Sequence, residues 1–148
     1  MAYSRADAQQ LAGWLDAGLA AHRQGDLDRA LQAYRRILSV SADHPAALNL
    51  LGTALLQRGE TAEAIAYLER ASRRKRDDPH VLANLAHAYV VEKRYGEACA
   101  AYKKASRIAP GEVQIQIALG SALALDGKLD QAESVFTRLT TRFPDAPL

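Results

Sequence analysis

Cysteine is almost absent from this chain of 148 residues, because Cys99 is the only one. A single cysteine excludes an internal disulfide and is typical of a protein from a reducing compartment. The excess of basic over acidic residues is also small, with a formal net charge of +2. A charge of this size does not by itself require a nucleic acid or a membrane surface as partner.

Long apolar runs are missing as well. No stretch is long enough to cross a bilayer, and the start, MAYSRADAQQ, has no apolar segment of signal-peptide length. No alternating β-branched run is bounded by hairpin turns, so the sequence contains no strand signal. We therefore expect a soluble, cytoplasmic protein built of helices.

What the sequence does contain is an internal repeat. The segment LGTALLQRGETAEAIAYLERA, which begins at Leu51, returns as LGSALALDGKLDQAESVFTRL from Leu119. At a shift of 34 residues, two series of mostly glycine positions align along the chain. The series are Gly18, Gly52, Ala86 and Gly120, and then Gly25, Gly59, Lys93 and Gly127. Four copies fill positions 11–146 without an insertion or a deletion.

Each copy contains two apolar patterns at helical spacing with a short polar turn between them. In the second copy, Leu48, Leu51 and Leu55 follow one helix face, and a second pattern begins after Gly59. A glycine there supplies the backbone freedom that helix C-termini often use. Upstream of the first copy, the segment Ser4–Asp7 has the spacing of a capping box, which predicts an early start and a longer first helix.

The second half of each copy has an alanine followed four residues later by a large apolar side chain. These pairs are Ala30 and Tyr34, Ala64 and Leu68, Ala98 and Tyr102, and Ala132 and Phe136. Together with Trp14, Leu51-Gly52, Leu119-Gly120 and the closing Pro110 and Pro144, they resemble the tetratricopeptide repeat. The resemblance implies an all-α fold, an α-solenoid (a right-handed superhelix) of four helix–turn–helix repeats. We place the repeats at 11–44, 45–78, 79–112 and 113–146 of a single domain, 1–148, with 1–10 extending the first helix.

The end of the chain repeats the start of a copy. Pro147 follows Pro45 and Pro79 by multiples of the period, so residues 147–148 are predicted to begin a truncated fifth repeat. Val135, Phe136 and Leu139 would then lose part of their cover. An apolar patch of this kind favours self-association through the C-terminal end of the array.

No arrangement of residues typical of catalysis is present. The sequence has no Gly-rich phosphate loop and no cysteine or histidine set at metal-ligand spacing. Cys99 is interpreted as a small buried hydrophobe. His80 and His87 are seven residues apart and share a helix face, but two ligands without a third rarely form a metal site. We therefore predict no enzyme activity, no cofactor and no bound metal.

In tetratricopeptide arrays the first helix of each repeat lines a concave groove that holds a segment of a partner protein. The resemblance therefore implies that first-helix residues turned away from the stacking face bind the partner. An alternative stays open, namely that the leucines among them are stacking contacts. The predicted groove residues are Leu15, Leu19, Asn49, Leu50, Thr53, Leu56, His80, Asn84, His87, Val90, Val91, Ile117, Ser121 and Leu125.

The predicted groove is mostly apolar and nearly uncharged. The cationic clamp by which co-chaperone members of the family bind an acidic C-terminus is missing, and so is the asparagine ladder of O-linked GlcNAc transferases. An amphipathic helix or an extended apolar segment of a partner protein suits such a surface. Two other functions remain open: a substrate-recruiting domain of a larger glycosyltransferase or sulfotransferase, and a secretion-type chaperone.

Basic residues collect toward the ends of the second helices, and the run Arg73, Arg74, Lys75 and Arg76 is the densest. Cations at a helix C-terminus are favourable, so a solvated outer face is the preferred interpretation. The sharper alternative is a secondary docking patch for an acidic protein, a lipid head group or RNA. No aromatic residue is interleaved in the run to stack bases, so we predict neither nucleic acid nor a membrane as partner.

Overall fold

The computed structural model describes residues 4–144, which form eight α-helices and contain no strand. Turns of three residues join the two helices of each repeat, and segments of four residues join one repeat to the next. This pattern confirms the predicted helix–turn–helix architecture. The helices are α1 (Arg5–Arg23), α2 (Leu27–Val40), α3 (Pro45–Gln57), α4 (Thr61–Arg74), α5 (Pro79–Val91), α6 (Tyr95–Ile108), α7 (Val113–Leu125) and α8 (Leu129–Arg142).

The helices form two compact units, one ending at Arg74 and the other beginning at Lys75. In the first unit, α1 packs on α2, α3 packs on α4, and α2 contacts α3. In the second unit, α5 packs on α6, α7 packs on α8, and α6 contacts α7. Each unit therefore contains two helix hairpins, stacked through the second helix of one and the first helix of the next.

Helix starts follow the sequence signals. Ser4 and Asp7 form the predicted capping box: the Asp7 N–H donates to Ser4 Oγ and the Ser4 N–H donates to Asp7 Oδ2, both at 3.1 Å. This cap starts α1 early, so α1 has 19 residues where α3 has 13. Pro45 and Pro79 open α3 and α5, where a missing N–H costs no hydrogen bond.

The turn within each repeat has a left-handed residue at the same position. The φ angles are 78° at Gly25, 86° at Gly59 and 75° at Gly127, and Lys93 adopts 60° in place of a glycine. In every turn the N–H of the next residue donates to a carbonyl of the preceding helix five residues earlier. This is the 6→1 hydrogen bond of a Schellman motif. These bonds run from Asp26 to Ala21, Glu60 to Leu55, Arg94 to Tyr89 and Lys128 to Leu123.

Glycines in the first helices allow the paired helices to come close. A Cβ on Gly52 would lie 2.6 Å from Leu68 Cγ, and one on Gly18 would lie 2.5 Å from Tyr34 Cε1. Contacts this short require a neighbour to move. This position of the first helix therefore requires a small residue.

Each unit has its own buried apolar residues. In the first unit, Leu31, Tyr34, Leu51 and Leu55 belong to one core cluster and are at most 1% exposed. In the second unit, α5 to α8 bury side chains that include Leu85, Cys99, Tyr102, Leu119 and Leu123. The segment 145–148, on which the predicted fifth repeat depends, lies outside the described residues.

Candidate partner-binding faces

The predicted groove residues of the first unit are all half-buried. Leu15, Leu50 and Leu56 pack against the core cluster of α1 to α4, so part of each side chain serves the stacking of the helices. The hydroxyl of Thr53 donates to the Asn49 and Leu50 carbonyls at 3.2 and 3.0 Å. Stacking of the helices, the alternative left open by the sequence, therefore explains the buried part of these leucine side chains. It does not explain the part of their surface that stays accessible.

A hydrogen-bonded network lies beside these residues. The His22 ring nitrogen Nε2 is 2.9 Å from Gln57 Oε1, and Nδ1 is 3.3 Å from the Tyr34 hydroxyl. Tyr34 is fully buried, and burial raises the pKa of its hydroxyl. The network links α1, α2 and α3, and it fixes the polar part of the first unit's surface in one arrangement.

The predicted groove residues of the second unit are more open. His80, His87, Val91, Ser121 and Leu125 are exposed, whereas Asn84, Val90 and Ile117 are half-buried. Val91 and Leu125 occupy equivalent positions at the ends of α5 and α7, and they are 48% and 52% exposed. Large apolar side chains with this exposure are available to a partner.

Cys99 and the two histidines, His80 and His87, lie in different surroundings. Cys99 is 2% exposed, and burial raises the pKa of its thiol, which disfavours the thiolate needed for nucleophilic attack. Within residues 4–144, no three His, Cys, Asp or Glu side chains are grouped so that they could hold a metal ion. His80 lines only a shallow surface depression with Lys75, Asp78 and Pro79.

The basic run at 73–76 is divided between the units. Arg73 and Arg74 are the last residues of α4, and Lys75 and Arg76 begin the second unit. Arg74 forms an ion pair with Asp43, and the same carboxylate lies 3.4 Å from Arg70. Part of the charge of this predicted patch is therefore neutralised within the first unit.

A sequence profile described as the tetratricopeptide repeat matches residues 21–88 and 89–148, most of the chain. The chain belongs to the tetratricopeptide repeat family. This membership confirms the resemblance that was based on the repeat period, the two series of glycine positions and the pairs of an alanine with a large apolar side chain.

Solved structures with this tetratricopeptide fold include MamA. Residues 41 to the end of MamA from Desulfovibrio magneticus RS-1 superpose with a TM-score of 0.84 at 22% identity, covering 92% of this chain and 78% of that one. A second MamA crystal structure gives 0.82 at 23%, covering 90% and 78%. A variant of the Thermobaculum terrenum O-GlcNAc transferase gives 0.77 at 24%, covering 82% of this chain but 23% of that enzyme. At these identities the likeness concerns the fold alone.

One candidate surface of this tetratricopeptide chain was not singled out by sequence reasoning. It is a cleft between α6 and α8, lined by basic side chains over an apolar floor. The position of its cations near the ends of second helices predicts only a solvated outer face. The signal that could have found it is the repeat alignment, which places Gly111 and Gln131 where the first unit has Asp43 and Glu63.

The apolar patch predicted at the C-terminal end is wrong in two of its three residues. Val135 and Leu139 are only 4% and 3% exposed, and Phe136 is half-buried on Gly120. Val135 and Leu139 lie in the floor of the α6–α8 cleft, and Phe136 packs against α7. In the fourth repeat, the large apolar side chains that are exposed are Leu125 and Leu129.

The described helices are between 13 and 19 residues long. None of those in residues 4–144 combines the length and the apolarity needed to span a membrane.

Proposed function

We propose that this tetratricopeptide chain is a non-catalytic scaffold that binds a helix or an extended segment of a partner protein along its first helices. The observation that carries this proposal is the exposure of large apolar side chains, Val91 and Leu125, at equivalent positions of α5 and α7. Half-buried Leu50 and Leu56 offer a similar but smaller apolar surface on α3.

The chemistry of these surfaces supports an apolar ligand. The predicted groove residues include no Asp, Glu, Lys or Arg, so an apolar partner face meets no buried charge there. Hydroxyl, amide and imidazole groups at Ser121, Asn84 and His87 supply polar contacts beside the leucine and valine side chains. An amphipathic segment would meet both kinds of group.

The test compares protein capture by the parent chain and by a variant with Leu50→Glu and Val91→Glu. Each substitution puts a charge on an apolar surface, so a groove-bound partner identified by mass spectrometry should be lost. Val40→Glu is the matched control, because Val40 is 48% exposed at the end of a second helix, α2. Capture that persists in the double variant, with the helical circular dichroism signal unchanged, would contradict the proposal.

A second candidate is a substrate-recruiting domain of a larger glycosyltransferase. The observation that favours it is the superposition on the Thermobaculum terrenum O-GlcNAc transferase over 82% of this chain. A reading frame that continues past Leu148 into a glycosyltransferase domain would support this role, and a stop codon there would contradict it.

We also propose self-association through the C-terminal end of the array, with exposed Leu125 and Leu129 as the contact residues. Glu133 limits it: the equivalent Leu31, Ile65 and Cys99 are buried in the other repeats, whereas Glu133 is exposed on α8. A helix stacked there in the register of the repeat would bury this carboxylate without a partner. Sedimentation equilibrium of the parent and of Glu133→Leu tests the point, since the variant should associate more strongly.

A further inference from the structure

The cleft between α6 and α8 combines an apolar floor with basic walls. Two adjoining cavities of about 560 and 490 Å³ share the lining residues Ser106, Arg107, Val135 and Arg138. Apolar residues lie along the floor beside Gln116, whose side-chain amide donates to Ser106 Oγ at 2.8 Å. Its apolar lining residues are Leu119 and Leu123 of α7, Val135 and Leu139 of α8, and Pro110 and Phe143.

Four cations stand on the walls of this cleft. Lys103 and Arg107 come from α6, and Arg138 and Arg142 come from α8. Asp130 is the one acidic residue among the described residues of the lining. No ion pair joins any of the four cations to a carboxylate within residues 4–144.

The equivalent cations of the first unit are neutralised by acids of the neighbouring repeat. Arg35 lies 3.5 Å from Glu63, and Asp43 forms ion pairs with both Arg70 and Arg74. A shift of 68 residues carries Arg35, Arg70 and Arg74 onto Lys103, Arg138 and Arg142. The cations of this arrangement are thus kept in the second unit.

The acids of this arrangement are not kept. The same shift carries Glu63 onto Gln131 and Asp43 onto Gly111. Lys103 Nζ accordingly donates to the neutral amide oxygen of Gln131 at 3.1 Å, and Arg142 donates to the Pro110 carbonyl at 3.4 Å and lies over the Phe143 ring. The second unit therefore keeps the bases of an interhelical ion-pair network and has lost its acids.

We propose that the α6–α8 cleft is a docking site for an acidic segment of a partner protein. Carboxylates of the segment replace the missing Glu63 and Asp43 equivalents, and charge-assisted hydrogen bonds to Arg107, Arg138 and Arg142 orient them. Apolar side chains of the segment contact Pro110 and Phe143, the accessible apolar residues of the lining. This site is distinct from the first-helix surface proposed above, because its four cations lie on α6 and α8 and none of its lining residues is a predicted groove residue.

The length of the cleft sets the length of the probe. The 14 residues of α8 span about 21 Å at 1.5 Å per residue. An extended peptide covers that distance with about seven residues at 3.3 Å each. The probe is therefore a fluorescein-labelled peptide of about that length with alternating glutamate and leucine, measured by fluorescence anisotropy at low salt.

The decisive variant carries Gly111→Asp and Gln131→Glu, which restores the acids of the first unit and removes no cation. Gly111 has open space around its Cβ position and no left-handed φ, and Gln131 is exposed, so both changes leave the fold intact. The matched control is Gln9→Glu with Gln10→Glu, which adds the same charge on exposed positions of α1. Equal melting temperatures verify folding.

The parent should bind the probe, and affinity should fall as salt rises. The acid-restoring variant should bind at least about tenfold more weakly, a loss of about 1.4 kcal/mol, whereas the control should match the parent. A probe with serine in place of leucine should also bind about tenfold more weakly. The variant with Leu50→Glu and Val91→Glu should bind the probe as tightly as the parent does. A failure of the cleft proposal can therefore be distinguished from a failure of the first-helix proposal.

Three results would overturn the proposal. The acid-restoring variant and the control could bind alike, which would reduce the effect to net charge. The serine probe could bind as well as the leucine probe, which would remove the apolar floor from the site. A single-stranded poly-uridine probe could bind more tightly than the peptide and lose affinity in the same variant, which would make the ligand a nucleic acid.

Discussion

The first and second units pack their helices in the same way but differ in how charge is balanced between repeats. In the first unit, Arg58 contacts both Asp28 and Glu60, and Asp43 contacts Arg70 and Arg74. In the second unit, Arg94, the N-cap residue of α6, pairs with Glu97 of the same repeat. Gln131 and Gly111 stand where the first unit has the acids Glu63 and Asp43. The repeat period thus preserves the fold while the surface chemistry diverges.

The turns show a second difference between the units. Both turns of the first unit use glycine at the left-handed position, whereas the third repeat uses Lys93 at φ 60°. The hydrogen bonds around Lys93 match those around Gly59, with Lys93 donating to Val90 at 2.9 Å and Gly59 donating to Leu56 at 3.1 Å. Packing of α5 on α6 therefore imposes a conformation that the lysine side chain disfavours.

The largest expected effect is overpacking at the glycine of a first helix. Gly52→Leu should lower the free energy of unfolding by about 3 kcal/mol, because its Cβ meets the fully buried Leu68 at 2.6 Å and the Ala64 carbonyl at 3.2 Å. Gly120→Leu should cost nearer about 1 kcal/mol, because half-buried Phe136 has room to rotate.

Urea unfolding of both glycine variants measures this difference. Gly13→Leu is the control, since nothing lies within 4 Å of its Cβ position. Equal losses at Gly52 and Gly120 would show that both contacts are equally rigid, and a neutral Gly52→Leu would place the close helix contact elsewhere.

Exchanging the turn residues between units is the next largest effect. Lys93→Gly should raise the free energy of unfolding by about 1 kcal/mol, because glycine adopts positive φ without the Cβ clash. Gly59→Lys should lower it by a similar amount. Chemical denaturation of the two variants gives both values, and a destabilising Lys93→Gly would mean that the lysine side chain makes a contact that outweighs the backbone strain.

A smaller effect on stability, but a new binding activity, is expected when the acids of the first unit are removed. Asp43→Gly with Glu63→Gln should change the free energy of unfolding by less than about 1 kcal/mol. The reason is that the side chains of the ion pairs concerned are between 39% and 54% exposed, where water weakens the attraction. The variant should bind the glutamate–leucine probe more tightly than the parent. An unchanged affinity would show that the apolar floor of the second unit, and not the unbalanced charge, controls binding.

The smallest effect concerns two glutamates, one in each unit: half-buried Glu60 and exposed Glu97. The hydrogen bond from Arg58 holds the pKa of Glu60 below its ordinary value of 4.5, and Arg94 does the same for Glu97. Since the folded pKa lies below the unfolded one, this stabilisation is present above pH 4.5 and disappears as pH falls through the folded pKa. Carboxyl NMR titrations should therefore place both below 4.5, and Arg94→Gln should return Glu97 to that value.

Much of the fold could be predicted from the sequence because the signals are local. The period of 34, the glycines at the turns, Pro45 and Pro79 at helix starts, and the capping box at Ser4 each depend on backbone requirements of neighbouring residues. The all-α repeat architecture and its family follow from these features. The left-handed conformation at Lys93 was also readable, but only from its alignment with three glycines.

The state of individual side chains required the tertiary structure. Arg74 and Asp43 are 31 residues apart, and no local pattern shows that they pair while Arg142 forms no ion pair with a carboxylate of residues 4–144. Val135 and Leu139 were expected to be uncovered, yet the packing of α8 on α7 buries both. The sequence by itself determined the helices, their turns and their order of stacking, because these depend on backbone geometry and apolar period. Only the approach of neighbouring helices decided which charges are balanced and which apolar surfaces are open, because pairing and burial depend on distances between residues far apart in the chain.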